Sequence, residues 1–437
     1  MSIPHKRRLA PGRGKSGTRK GKANRAMLDL TSVKSQIDRM VVDERSVQEN
    51  YQEKLARAQK ELKRWGPGWE ELAVKLERSR TSWLLPLIGD PLNSSYPCPQ
   101  RPEYISVAAT DGSQIFPDRH EISSCYLINI GYILLHYGTG EKPLMSSRPT
   151  LYYSEEDTYE EWGGRKVFAN RELVGFKRGL MEFTELAELA LAAHEEGHPV
   201  LALSDGTLIL WNLEGKPQDF KEMHLNATLQ AMEELRQARV PVAGYISLPG
   251  SKEIVNALKV GLCPQPVSDC DHCPYEKDNQ LGLDPDEVAA LKSQMWRGRA
   301  LPCAPVEGLG DAALLRQTLK PGERSGLCQS TSKILDEYGP HRIYFFYVNV
   351  GNELGRVEIP EWVAEDSELL DLVHACVCDQ AEKGQGYPVA LAEAHERAVV
   401  RGGDRDAFYR FLRDMFVKND IKARVSTKSY KKRHVGI

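Results

Sequence analysis

Apolar positions along this chain change rhythm three times, and each change predicts a different kind of element. From Ala26 to about Arg80 the pattern is helical and strongly charged. Tyr51, Leu55, Ala58, Leu62 and Trp65 recur at alternating steps of four and three, the spacing of a narrow coiled-coil seam, and Val33, Ile37 and Met40 show the same rhythm earlier. Gly66-Pro67-Gly68 interrupts the helix, and Trp69, Leu72, Ala73 and Leu76 resume it. We read residues 26–82 as a helical arm that packs on its own domain or on a second copy, serving dimerisation or docking. The Pro-rich stretch Leu84 to Pro102 leads from the arm into the main domain.

The period then becomes that of strands. Tyr104 to Phe116 opens with a buried strand, apolar at Tyr104, Ile105 and Val107, that stops at the turn Asp111-Gly112-Ser113. Cys125 to Tyr137 is a second strand and Leu151-Tyr152-Tyr153 a shorter third, an antiparallel start to a sheet. Arg171 to Glu196 is an amphipathic helix with Leu173, Phe176, Leu180, Phe183, Leu186 and Leu189 on one face and Glu182 and Glu185 beside it. Val200 to Ser204 repeats the first design, an apolar strand ending in Asp205-Gly206-Thr207. A helix near Phe220 to Gln237, a strand Val240 to Ser247 and a short helix after Lys252 continue with the βαβ rhythm of a parallel half. About 264–339 is an insert that breaks this rhythm. Strands resume at Arg342 to Val350 and Val357 to Ile359. They are followed by helices from Ser367 to Glu382 and from the Pro388-led segment that ends on His395. The fold class is α/β: a mixed sheet flanked by helices, with a coiled-coil-like arm and a cysteine-containing insert.

Composition adds limits rather than chemistry. At 437 residues, 41% hydrophobic and 27% charged, the chain has ample material for a globular core. It has no apolar run of membrane-spanning length, and its basic N-terminus lacks the apolar region of a secretory signal. The net charge of −3 hides an uneven distribution, with nine Lys/Arg and no acid in residues 1–25 and a basic tail over 421–437. Such tails suit a polyanionic partner through counterion release, or serve as disordered solubilising ends. The nine cysteines do not form a disulfide framework, which fits a reducing, cytoplasmic setting. Cys263, Cys270, Cys273 and Cys303 include a Cys-x-x-Cys that can hold a structural zinc, or they are ordinary buried thiols of a loop.

The repeated acidic strand end is what carries chemistry. Asp111 and Asp205, each at the carboxyl end of a strand in one sheet, can share a divalent cation, because hard cations take carboxylate oxygens. With a helix glutamate and the late His395, a rim histidine to bind the metal or to shuttle the proton, they suggest metal-assisted phosphodiester cleavage on a ribonuclease-H-like sheet. The segments Asp111-Gly112-Ser113-Gln114-Ile115, Pro117-Asp118-Arg119-His120 and Leu127-Ile128-Asn129-Ile130-Gly131 resemble the NurA family of DNA-repair nucleases. So do Ser204-Asp205-Gly206-Thr207-Leu208 and Gly386-Tyr387-Pro388 with Glu393-Ala394-His395-Glu396. The resemblance covers about residues 100–415. It implies a dimeric, Mn²⁺-dependent enzyme (Mg²⁺ being an alternative cation) that acts as a single-strand endonuclease and 5′-to-3′ exonuclease. It also implies work with HerA, a hexameric ATP-driven DNA translocase, in resecting double-strand breaks. By motif, Asp111 and Asp205 correspond to metal-binding aspartates, Glu182 to the helix glutamate with Glu185 in reserve, and His395 to the late catalytic histidine. Lys252 is the nearest match to a lysine after the third core strand. The competing expectations are a non-catalytic adaptor that loads the translocase and a coiled-coil scaffold whose aspartates only shape turns.

Overall fold

The computed structural model describes residues 30–118, 125–162, 164–197, 199–275 and 301–421. The basic segment 1–25, residues 422–437 and the motif residues Arg119 and His120 lie outside the described residues. The chain divides into two compact units, one up to Gln52 and one from Glu53 onward. Helix α1 (Leu30–Arg64) runs through both. In the first unit it presents Ile37, Met40 and Val41 to solvent. In the second, the seam residues Leu55, Ala58, Leu62 and Trp65 are buried. Trp65 fits against Gly261, where an added Cβ would come 2.4 Å from the indole Nε1. That half of the seam therefore packs on its own domain. Helix α2 (Trp69–Arg78) follows, burying Leu72 and Leu76.

The sheet strands in chain order are β1 (Pro86–Ile88), β2 (Ser95–Tyr96), β3 (Ile105–Ile115), β4 (Tyr126–Tyr137) and β5 (Leu144–Tyr152). After a short helix α3 (Glu155–Thr158), β6 (Tyr159–Trp162) and β7 (Arg165–Phe168) form a separate hairpin. Helix α4 (Arg171–Glu195), strand β8 (Val200–Asp205), helix α5 (Gln218–Gln237), strand β9 (Val242–Ile246) and helix α6 (Glu253–Leu262) then alternate. Helix α7 (Asp311–Leu315) and strands β10 (Arg324–Ser325), β11 (Cys328–Ser330), β12 (Ile343–Asn349) and β13 (Leu354–Pro360) complete the sheet. Helices α8 (Glu361–Ala364), α9 (Ser367–Lys383), α10 (Val389–Ala398) and α11 (Gly402–Lys418) close the chain.

In space the strands run β1-β11-β12-β13-β9-β8-β3-β4-β5, with β2 and β10 paired beside this row. Strands β3, β4 and β5 are antiparallel neighbours, while β8 and β9 lie parallel to β3. This is the mixed sheet flanked by helices read from the sequence. Its two faces are covered separately. Ala108, Ala202 and Val242 meet Leu173, Phe176 and Leu186 of α4 on one side. Ile105, Val107, Ala109, Leu201 and Leu203 meet Val373 of α9 and Leu391 and Ala394 of α10 on the other.

Three expectations are corrected. β3 does not stop at Asp111-Gly112-Ser113 but continues to Ile115, because β4 goes on pairing with it (Asp111 with Gly131, Gly112 with Ile130). Only its parallel neighbour stops, with Thr110 paired to Ser204. The third strand spans Leu144–Tyr152 rather than three residues; as an edge strand it tolerates Pro149 and exposed polar positions that break the apolar pattern. The insert and the Pro-rich linker are not mere interruptions, since β10 and β11 come from one and β1 and β2 from the other.

Candidate active site

Period-two alternation places the acidic residues. Asp111 continues the parity of Ile105, Val107 and Ala109, and Asp205 that of Leu201 and Leu203, so both point to the face covered by α9 and α10. The ladder aligns Thr110 with Ser204, so the next residues, Asp111 and Asp205, are neighbours on adjacent strands. α10 brings His395 to the same place, where its Nδ1 lies 2.7 Å from Asp111 Oδ2. The other Asp111 oxygen accepts the Gly112 N–H at 2.8 Å. With Nδ1–H donating to the carboxylate, Nε2 of the exposed His395 ring keeps its lone pair.

Gly112 has the opposite parity and faces α4. A Cβ there would fall 2.4 Å from Glu182 Oε1 and 2.9 Å from Arg178 Cγ, so glycine is what lets the glutamate lie over the strand. One turn before Glu182, Arg178 places Nε 3.0 Å from its carboxylate and donates through Nη1 to the Gly112 carbonyl and Gln114 Oε1. Thr110 Oγ1 donates to the Glu182 carbonyl at 2.8 Å, fixing α4 against β3. Glu185 is not an equivalent choice, since it pairs with Arg148 of β5. A cavity of about 140 Å³ is lined by Glu182, Ser204, Asp205 and Thr207.

The turn after Asp205 is held from beneath. Gly206 has φ +100°, a conformation suited to glycine, and its N–H donates to the Tyr245 carbonyl at 2.8 Å. Buried Glu358 accepts from Thr207 Oγ1 at 2.7 Å and from the Leu208 N–H at 2.9 Å. Arg356 in turn holds Glu358 (Nε to Oε1, 2.9 Å) and ion-pairs with Glu253. The threonine of Asp-Gly-Thr is therefore tied into a buried charge network.

The carboxyls of the cluster are held away from their ordinary titration range. Burial pushes the Glu182 carboxyl up to about 7, with Arg178 opposing and Asp111 and Asp205 adding to the rise. Burial also raises Asp205, against a hydrogen bond from Tyr387 that lowers it, and Asp111 raises it further. A divalent cation among these oxygens would offset both desolvation and mutual repulsion, so the donor set fits Mn²⁺ or Mg²⁺. Among the described residues no three of Asp111, Glu182, Asp205 and His395 bring their ligand atoms within 4.8 Å of one another.

Lys252 is placed elsewhere. It precedes α6 and lines a recess of about 480 Å³ with Trp211, Glu253, Arg356 and Glu358, and that recess shares the wall residue Thr207 with the cavity beside Glu182 and Asp205. The expected zinc ligands Cys263, Cys270, Cys273 and Cys303 lie close enough for the other three to raise the Cys270 thiol further, beyond the burial that chiefly raises it. Among the described residues, however, no three of them reach mutual ligand distance. Arg178 and Tyr387 were missed as site residues. The i, i+4 spacing of Arg178 and Glu182 was the available signal for one, and Tyr387 adjoins the helix start that delivers His395.

The family model described as NurA domain matches residues 105–400. No curated protein sequence matches the chain. Among solved structures, the chain is similar to the NurA nuclease from Sulfolobus solfataricus at 12% identity and a TM-score of 0.45, covering 88% of this chain and 98% of that one. It is also similar to LC9-RNase H1, a type 1 RNase H with the type 2 active-site motif, at 12% identity and a TM-score of 0.18, covering 47% and 90%. The family model spans the acidic strand ends, the helix that carries Glu182 and the helix that carries His395, and the chain belongs to the NurA domain family.

Proposed function

We propose that this protein is a divalent-cation-dependent nuclease that hydrolyses DNA phosphodiesters. The observation that carries the reading is the juxtaposition of Asp111 and Asp205 on adjacent parallel strands, with His395 bonded to Asp111 and Glu182 lying over Gly112. Asp111, Asp205 and Glu182 would hold the cation, their side chains closing on it as it binds. When bound, the cation supplies Lewis-acid stabilisation of charge building on the phosphoryl oxygens and favours ionisation of the attacking water. Arg178 keeps Glu182 over the strand, and Tyr387 orients Asp205. His395, oriented by Asp111, carries a proton at Nε2 to or from the reacting oxygens.

In its finer form the proposal has Mn²⁺ as the working cation, with single-strand endonuclease and 5′-to-3′ exonuclease activity on DNA ends. It also has a homodimer acting with a HerA-type ATP-driven translocase in break repair. The family likeness supports these terms. The test is cleavage of end-labelled single- and double-stranded DNA with Mn²⁺, Mg²⁺ or EDTA, by wild type and by Asp111→Asn. We expect cation-dependent cleavage that falls to background in the folded, DNA-binding variant. Unchanged cleavage by Asp111→Asn would remove Asp111 from the chemistry. Inactive wild type, with or without the motor, would favour an adaptor.

A further inference from the structure

Away from the acidic cluster, three side chains from distant parts of the sequence meet with the chemistry of a soft metal site. Cys98, in the linker before β3, and His374 and Cys378, one turn apart on α9, bring one ligand atom each within 4.8 Å of the others. Among the described residues this is the one group that meets that distance. The imidazole of His374 is fully buried. Its Nε2 donates to the Gly322 carbonyl at 2.8 Å, which leaves the lone pair on Nδ1, and Nδ1 has no hydrogen-bond partner. A buried ring nitrogen without a partner is uncommon and calls for an explanation. A backbone carbonyl that fixes one imidazole nitrogen while the other is left to a ligand is the usual outer support of a metal-binding histidine. The two thiols share a hydrogen bond, so the sulfurs already face one another.

We infer that Cys98, His374 and Cys378 form a binding site for a thiolate-preferring divalent cation of the zinc class, separate from the acidic cluster. Two thiolates and a neutral imidazole balance a 2+ charge, with two protons released to solvent on binding. Three protein ligands leave the fourth tetrahedral position to water on the side of exposed Cys98. Gly322 is part of the arrangement: its φ of +82° suits glycine, and its carbonyl accepts from His374 Nε2.

The site would fasten the linker to α9. Arg101 already bonds Asp379 at 3.2 Å and lies over the Tyr137 ring. Gln380 bonds Tyr137 Oη at 2.7 Å and accepts the Ala390 N–H at 3.1 Å, at the start of the helix that carries His395. A metal at Cys98 thus stiffens the chain of contacts behind the catalytic histidine without entering the reaction.

The test uses the full chain, purified under reducing conditions, with its metal measured by elemental analysis and then replaced by Co²⁺. We expect about one tightly held zinc per chain and an intense thiolate-to-cobalt absorption band. Both should be lost in Cys98→Ser and Cys378→Ser and kept in Asp111→Asn and in the double variant Cys270→Ser/Cys273→Ser. Because Cys98 is exposed, Cys98→Ser separates ligand loss from misfolding, and its Tm should no longer respond to chelator. The inference is overturned if reduced wild type binds no zinc and gives no thiolate band with Co²⁺. It is equally overturned if the band survives Cys98→Ser but disappears in the Cys270/Cys273 double variant, or if thiol counting finds Cys98 and Cys378 joined as a disulfide.

Discussion

A methyl group at position 112 would occupy the place of the Glu182 carboxylate. Gly112→Ala should therefore lower Mn²⁺ affinity and cost about 1–3 kcal/mol through overpacking, seen together in metal titration and thermal unfolding. Only one of the two would change if Glu182 were uninvolved in binding. The raised Glu182 carboxyl gives a pH signature. With a folded value of about 7 against an ordinary 4.5, the cation-free native state holds more protons than the unfolded chain between those values. The stability contributed by neutral Glu182 is thus present at low pH and lost as pH rises from 4.5 through 7. Cation binding must displace that proton, so Mn²⁺ affinity should climb with pH up to about 7 and then level, and Glu182→Gln should flatten the slope. Calorimetric titrations at pH 6, 7 and 8 read this directly. His395→Ala should lower the cleavage rate by about 10²–10⁴-fold, the range for a lost proton carrier. The aspartates were legible in the sequence because Asp-Gly-Ser/Thr after an apolar strand is a local pattern. Tyr387 was not assigned a role because it acts through Asp205, which topology alone brings near; Arg178 stands one turn from Glu182 on the same helix, but its bonds to Gly112 and Gln114 on β3 follow only from how the helix lies on the strand.

At the scale of elements, the site depends on how closely α10 lies on β4. A Cβ on Gly131 would meet the Ala398 backbone nitrogen at 2.4 Å and the Ala394 carbonyl oxygen at 2.6 Å, atoms that cannot swing aside. Asn129 Nδ2 and Ser113 Oγ also donate to the Ala398 carbonyl, at 2.7 and 2.5 Å. Gly131→Ala should lift the helix and move His395 from Asp111, reducing cleavage while far-ultraviolet circular dichroism stays close to wild type. Arg356→Met would leave Glu253 and Glu358 buried without their cation, an expected loss of about 3–5 kcal/mol, measurable by denaturant unfolding. The long amphipathic helix, the βαβ half and the β12–β13 pair were readable because burial on one or both faces writes a period into the sequence. β5 was read short because an edge strand needs no such period. The end of β3 was misplaced because one neighbour stops at Thr110 and the other does not. No one-dimensional signal distinguishes those cases.

For the whole molecule, the arm has two characters, apolar and exposed at Ile37, Met40 and Val41 in one unit and buried from Leu55 onward in the other. A chain beginning at Glu53 should keep the fold and the proposed cation-dependent cleavage. Light scattering of that fragment beside the full chain then reports whether residues before it mediate self-association. Trp65→Ala, by contrast, should cost about 3–5 kcal/mol, because that side chain fills the space over Gly261. No described helix is long and apolar enough to cross a membrane. One sheet connects the linker, the insert and the acidic strands, yet its middle is not uniformly bonded. Beyond Thr110, β3 keeps β4 on one flank and, among the described residues, has no strand on the other. Solvent deuterium should enter that outer half sooner than the inner half, so the backbone bearing Asp111 marks a boundary between slow and fast exchange within a single strand.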